Sequence, residues 1–363
     1  MIRMMWVLIV LLWAMPAMAQ DSGAGYQGVL RRIEEAPGTV ELNLIQLDLT
    51  ELPPEIGQLT NLASLDLRGN PLTILPPEIG QLTNLEFLDL SKTALTSLPP
   101  EIGQLTNLTT LDLSDMPTLT SLPAELGRLH NLYVLRISGV PLMTFPSGIV
   151  QLTQLNYLRL LGTSLTSVPP ELGQLTNLTY LDLAGNNLSN IPAELGQLTK
   201  LEFLDVGVNH LATLPSEIGN LTSLKTLNLS ENALTTLPSE IGQLTNLEYL
   251  GLEYNPLTTL PPEIGQLIQL KDLYLKDTLI TILPVEMGSL NQLRSLNGGQ
   301  ITFPPLEIRQ QGLQVTLAYL RDYQTMLMRQ TMAGIAAGIG AIAGLMLAFR
   351  WRQRRGLSEK KRL

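Results

Sequence analysis

The chain has 363 residues and a net charge of −9; 45% of its residues are hydrophobic but only 5% are aromatic. Seven of the 23 Lys and Arg come after Phe349 and one is Arg3, so residues 20–330 carry 15 basic against 31 acidic residues, 15 − 31 = −16. An acidic surface of that size repels polyanions and argues against nucleic acid as a partner, and zero cysteines exclude disulfides, zinc knuckles and thiol nucleophiles.

Residues 1–19 read as a secretory signal peptide. Arg3 precedes an apolar run from Trp6 to Met15, Pro16 interrupts it, and Ala17-Met18-Ala19 supplies an A-x-A cleavage site. The alternative, an uncleaved anchor, has only a short apolar run to span with; either reading exports the repeats that begin near Val40. Residues 20–51 are expected to cap the next region: Tyr26, Val29, Leu30 and Ile33 recur at helical spacing, Pro37-Gly38 ends that helix, and Val40 to Leu49 forms an incomplete first repeat.

Residues 52–303 consist of about eleven units that start at Leu52, Leu75, Leu98, Leu122, Phe145, Val168, Ile191, Leu214, Leu237, Leu260 and Leu283. Every step is 23 residues except one of 24, whose extra residue is placed in the loop Asp115-Met116-Pro117-Thr118. Such a period marks stacked supersecondary units, none of which can bury its apolar face alone. In Leu85-Glu86-Phe87-Leu88-Asp89-Leu90 the leucines alternate with other residues, which predicts a short strand with Leu88 and Leu90 inward and Phe87 and Asp89 outward. The turn after the strand carries Asn70, Asn186, Asn209, Asn232 or Asn255 in five units, where the amide can bond backbone of neighbouring turns. Thr93, Val140, Thr163 and Thr278 replace it elsewhere, so the amide is expected to matter less than a core leucine such as Leu183. The return, Leu75-Pro76-Pro77-Glu78-Ile79-Gly80-Gln81-Leu82, puts Pro at a helix start, Glu near its positive end and Gly where it stops, which predicts one helical turn.

The pattern LxxLxLxxNxL carried by these residues resembles the leucine-rich repeat family, and LPxEIGxL resembles the type in Ras-suppressor-like, plant intracellular Ras-group and Roco proteins. The resemblance implies an α/β solenoid, curved, with a concave parallel sheet and short outer helices. It does not identify a ligand.

Residues 304–330 are expected to close the array, with Leu313, Leu317 and Leu320 on one helical face, and to lead to a membrane. Residues 331–349 contain no charge and predict one C-terminal transmembrane helix, about 28 Å long against a hydrocarbon core of about 30 Å. The basic tail 350–363 then predicts a cytoplasmic end, hence a single-pass type I cell-membrane protein with the array outside the cytoplasm. Gly334, Gly338, Gly340 and Gly344 form two GxxxG patterns; they permit helix–helix packing and a homodimer, or reflect the small residues common in spans generally.

Nothing in the sequence forms a catalytic set. The two histidines, His130 and His210, fall on different sides of the repeat, and no GxSxG, GxxxxGK[ST] or HExxH is present, which predicts no enzyme, no metal and no cofactor. Variation at the outward strand positions is more informative. Phe87, Tyr157, Tyr180, Phe203 and Tyr249 occupy the first outward position, and Arg136, Arg159, Asp182 and Asp205 the second. Aromatics and Arg are what interface centres favour, although aromatics also suit strands in general. These nine residues are the candidate ligand site, and the partner expected is a protein or peptide. The rival readings are a structural or adhesive surface spacer and a receptor subunit that signals through a separate partner.

Overall fold

The computed structural model describes residues 25–35 and 37–332. Twelve short strands form one parallel sheet in sequence order: β1 (Glu41–Asn43), β2 (Ser64–Asp66), β3 (Phe87–Asp89), β4 (Thr110–Asp112), β5 (Val134–Arg136), β6 (Tyr157–Arg159), β7 (Tyr180–Asp182), β8 (Phe203–Asp205), β9 (Thr226–Asn228), β10 (Tyr249–Gly251), β11 (Asp272–Leu275) and β12 (Ser295–Gly298). Each residue pairs with its counterpart one repeat later. The longer unit does not break the register, since Asp112 pairs with Arg136. Its surplus is absorbed in the turn, where Asp115 takes a left-handed backbone and Met116 is wholly buried.

Alternation within each strand sends its central leucine into the core, as with Leu88, Leu111, Leu158 and Leu181, all fully buried. On the opposite side the return path contributes Ile79, Leu82 and Leu85, so that each unit closes against the next and one apolar core runs the length of the array. At about 1.5–3 kcal/mol per buried leucine, this repeated contact is the main favourable contribution to folding.

The predicted helical turn is a five-residue 3-10 helix in each unit, such as Pro77–Gln81. Its glycine has a different role from the one read in the sequence. Gly80 stands inside the turn, and a Cβ there would lie 2.8 Å from the Glu101 carbonyl oxygen of the next unit. The residue is Gly because the neighbouring backbone approaches closely, not because the helix ends. Unit 145–167 departs from this rule: Val150 takes the glycine position and Gly148 the glutamate position. Gly148 lets its turn lie against the preceding one, where a Cβ would be 2.9 Å from the Ala124 carbonyl oxygen. On its other side Val150 holds off the next turn, and a cleft lined by Phe145, Ser147, Val150, Ser167, Pro169 and Glu171 opens.

The asparagines bind more than the sequence suggests. Asn186 is buried; its Oδ1 accepts from the Thr163 and Leu165 amides at 3.1 and 3.0 Å, and its Nδ2 donates to the Leu160 and Leu183 carbonyls at 2.8 and 2.9 Å. Asn70, Asn209, Asn232 and Asn255 repeat the scheme, each donating to a carbonyl of the preceding unit. Thr93 and Thr278 donate only to the carbonyl three residues back, at 2.8 Å. At 93 and 278 threonine therefore closes only its own turn, whereas the Thr163 hydroxyl also donates to Asn186 Oδ1 of the next unit at 2.9 Å; each asparagine ties two units together by itself.

Among the described residues one helix precedes the array and two follow it. α1 (Tyr26–Glu35) buries Val29 and Ile33 against the first unit. After α2 (Leu306–Arg309), residues 313–332 are helical; Leu317 and Leu320 are buried, and the Arg321 guanidinium donates to the Gly288 carbonyl at 2.8 and 3.0 Å, covering the last 3-10 turn.

The membrane helix requires correction. Among the described residues no helix is long and apolar enough to cross a membrane. The helix 313–332 carries Arg321, Asp322 and Arg329 and packs on the array. Only Thr331 and Met332 of the expected span are described; residues 333–349, including Gly334, Gly338, Gly340 and Gly344, lie outside the described residues, as do the expected signal peptide 1–19 and basic tail 350–363. Among the described residues the fold is a parallel-sheet solenoid with no membrane-crossing helix, and it gives no support to the single-pass topology, the cell-membrane location or the dimer that rest on one.

The asparagine scheme predicts that Asn186→Ala costs at least as much stability as Leu183→Ala. The first strands several buried backbone groups at about 1–3 kcal/mol each; the second empties a core site at about 2–5 kcal/mol. Denaturant melts decide, and a cost for Asn186→Ala below that of Leu183→Ala would refute the scheme. Val150→Gly should let the two turns close, slowing amide exchange across Pro170–Gln174, whereas Gly103→Val should open a second cleft and cost about 1–3 kcal/mol.

Candidate protein-binding face

Successive units place equivalent side chains one strand apart, about 4.8 Å, along the solvent face of the sheet. Where neighbouring units carry aromatics in register, the rings must stack. Tyr157 and Tyr180 lie 4.1 Å apart between ring centroids with an interplanar angle of 9°, and Tyr180 and Phe203 lie 4.2 Å apart at 3°. All three are half-buried. The Arg136 guanidinium covers the Tyr157 end at 5.2 Å from the ring centroid, and its Nη1 lies 3.8 Å from Asp112 Oδ2.

The row beside the stack is electrostatically organised. Arg159 Nε donates to Asp182 Oδ2 at 3.1 Å. Asp182 is buried, and its Oδ1 accepts from the Ala184 amide at 3.0 Å. The same carboxylate-to-amide bond, two residues on, recurs at Asp66, Asp89, Asp112 and Asp205, and Asn228 supplies it with an amide oxygen. These residues are therefore not merely solvated outward groups, as the alternation implies. They fix the exit of each strand.

Burial pushes the Asp182 carboxyl up, with Asp205 adding to it; the Ala184 amide and Arg159 oppose the shift without reversing it. The short Arg159 bond alone would imply the opposite direction, but loss of hydration outweighs one partly exposed cation. Burial likewise raises Asp66. The Tyr180 hydroxyl is driven well above the usual tyrosine range by burial first and then by the Tyr157 hydroxyl beside it.

Of the nine sequence-derived candidates, the structure brings together Tyr157, Tyr180 and Phe203, with Arg136, Arg159, Asp182 and Asp205 beside them. Phe87 stands apart, paired across strands with Ser64 and Thr110. Tyr249 is separated from Phe203 by Thr226 and leans instead on Tyr274, at 5.4 Å and 40°. Its ring lies over Gly251, where a Cβ would be 3.2 Å from it. Tyr274 and Asn228, whose Nδ2 bonds both Asp205 oxygens at 3.1 and 3.0 Å, also belong to this surface. Both sit in the second outward row, and the signal that finds them is their register rather than their residue type.

A family model described as a leucine-rich repeat region matches residues 41–138, 79–156 and 146–236, and one for pairs of leucine-rich repeats matches 222–264. Together they cover 41–264, more than half of the chain. Neither distinguishes the Ras-suppressor-like, plant intracellular Ras-group or Roco types. No curated protein matches the chain. Among solved structures, a leucine-rich repeat protein from Leptospira interrogans is 33% identical, over 76% of this chain and 88% of that one, with a TM-score of 0.48. The functional domain of InlJ from Listeria monocytogenes, which includes a cysteine ladder, is 25% identical over 74% of this chain and 55% of that one, with a TM-score of 0.64. The Arabidopsis receptor kinase HAESA, in complex with the peptide hormone IDA and a co-receptor, is 30% identical over 72% and 46%, with a TM-score of 0.63. The chain thus spans about half the length of the InlJ and HAESA chains it matches.

Because the Asp182 pKa is raised on folding, its contribution to stability is fully present below the ordinary aspartate range and is lost as pH rises through the folded value. At neutral pH the charged form is a liability. Asp182→Asn keeps an acceptor for the Ala184 amide and should melt at a higher temperature than the parent at neutral pH, with the difference vanishing in acid. A gap that widened on acidification would show that Arg159 wins after all.

Proposed function

This chain belongs to the leucine-rich repeat family, and from that premise we propose that it is a non-catalytic module that binds a protein or peptide ligand through the concave face of its sheet, anchored at Tyr157, Tyr180 and Phe203. The stack is the observation that carries the reading. Three aromatics in consecutive units, half-buried and rigidly aligned, contribute nothing to the leucine core, yet they present apolar area at the solvent face with Arg136 and Arg159 alongside. Rigid aromatics lose little entropy on binding, and Tyr and Arg are frequent at interface hot spots. HAESA, a structural relative, is solved with a peptide hormone bound, which is the ligand class proposed for this face.

A spacer would tolerate changes on this face, and a binding module would not. Tyr180→Ala and Phe203→Ala should each weaken binding to a partner recovered by pull-down by at least about 1–2 kcal/mol. They should lower the melting midpoint less than Leu183→Ala, because the core is untouched. Arg159 is a poor probe, since its removal also leaves Asp182 unpaired. Glu240→Gln, on an outer 3-10 turn, is the control. Binding lost in the control and kept in both aromatic variants would move the site to the other face.

A further inference from the structure

The aromatic stack has two ends, and they are finished differently. At the Tyr157 end the chain supplies its own cap, the Arg136 guanidinium, which also reaches the Asp112 carboxylate. At the Phe203 end the next position across the sheet is Thr226, too small to cover a ring, and Tyr249 beyond it leans away toward Tyr274. β8 and β10 are two strand spacings apart, about 9–10 Å, which leaves room for one planar group against Phe203 with Thr226 as the floor.

Charge completes the parallel. Asp205, two residues along from Phe203 on the same face, is held by the Gly207 amide at 2.8 Å and by the Asn228 amide group. Both donors are neutral. Asp66, Asp89, Asp112 and Asp182 each lie within 4 Å of an arginine, but among the described residues Asp205 has no ion pair. Lys225, in the next unit, pairs with Glu202 at 2.8 Å, and Lys271 pairs with Glu248 at 2.6 Å. An open aromatic face beside an oriented, uncompensated carboxylate is what a guanidinium fits, by stacking and by charge-assisted hydrogen bonds together.

We propose that the Phe203 end of the stack is a recognition site for an arginine side chain of the ligand, which caps Phe203 and pairs with Asp205 as Arg136 caps Tyr157 and pairs with Asp112. The proposal rests on the reading of the concave face as the binding surface. It makes the preferred partner a basic segment, in keeping with the net charge of residues 20–330, 15 − 31 = −16. A lysine meets the charge requirement but not the planar one, so arginine is the better occupant.

Random dodecapeptides displayed on phage and selected against the full chain provide the test, with selected peptides then synthesised and titrated. Peptides whose binding is lost in Tyr180→Ala should be enriched in arginine, and replacing that arginine by citrulline, which keeps the shape and removes the charge, should weaken binding about tenfold or more. Asp205→Asn, which retains an acceptor for the Gly207 amide, should produce the same loss, and the citrulline peptide should no longer distinguish Asp205→Asn from the parent. Phe203→Leu keeps apolar bulk without the ring face and should also weaken arginine peptides. The arginine contribution should shrink as salt rises. Peptides that depend on Tyr180 yet show no arginine preference, or that bind Asp205→Asn as well as the parent, would overturn the arginine site and leave the concave-face reading standing. If no selected peptide depends on Tyr180, both fall.

Discussion

Everything in this molecule depends on how closely one unit can approach the next. On the sheet side the distance is set by backbone hydrogen bonds between parallel strands, and on the outer side by a glycine against a carbonyl oxygen, as at Gly80 and Glu101. Between these two contacts the buried asparagines reach across units, with Asn209 bonding the Leu183 carbonyl and the Leu188 amide. Leucine burial supplies most of the driving force but is indifferent to register. The directional contacts are what make each unit sit in the same place on its neighbour.

That precision generates the candidate site as a by-product of translation. Residues 23 apart in sequence are one strand apart in space, so three aromatic letters at 157, 180 and 203 become a stack without any special loop or cavity to hold them. The same translation brings acidic residues into like-charge rows, which the chain relieves locally. Arg68 lies near both Asp66 and Asp89, Arg136 near Asp112, and Arg159 near Asp182. Relief stops at Asp205, and the charge pattern of the face is therefore asymmetric about the stack.

Much of this is legible in the residues. The period, the strand, the inward leucines and the outward rows come from alternation and repetition alone, and the rows by themselves set Tyr157, Tyr180 and Phe203 side by side. What a sequence cannot convey is the consequence of depth. Asp182 reads as a polar outward letter, but the short strand and the turn after it bury the carboxylate, and its role becomes structural. Asn186 looks dispensable because threonine replaces it in other units, and only the bonds show that Thr93 and Thr278 serve one unit where asparagine serves two. Hydropathy reads 331–349 as a span, of which only Thr331 and Met332 are described, at the end of a charged helix 313–332 that packs on the last unit; no helix among the described residues could cross a membrane.

Unit 145–167 separates the two contacts that set the spacing. Behind it Val150 opens a cleft toward the next 3-10 turn, while in the unit after that a Cβ at Gly173 would still meet the Glu194 backbone. In front, the rings are 4.1 Å apart where the back is open, between Tyr157 and Tyr180, and 4.2 Å apart where it is closed, between Tyr180 and Phe203. Spacing of the front is thus the same with the back open or closed, held by the sheet hydrogen bonds and by Asn186, which bridges these two units. An array built this way can vary its outer surface without disturbing the aromatic stack, and can change the letters of the stack without disturbing its fold.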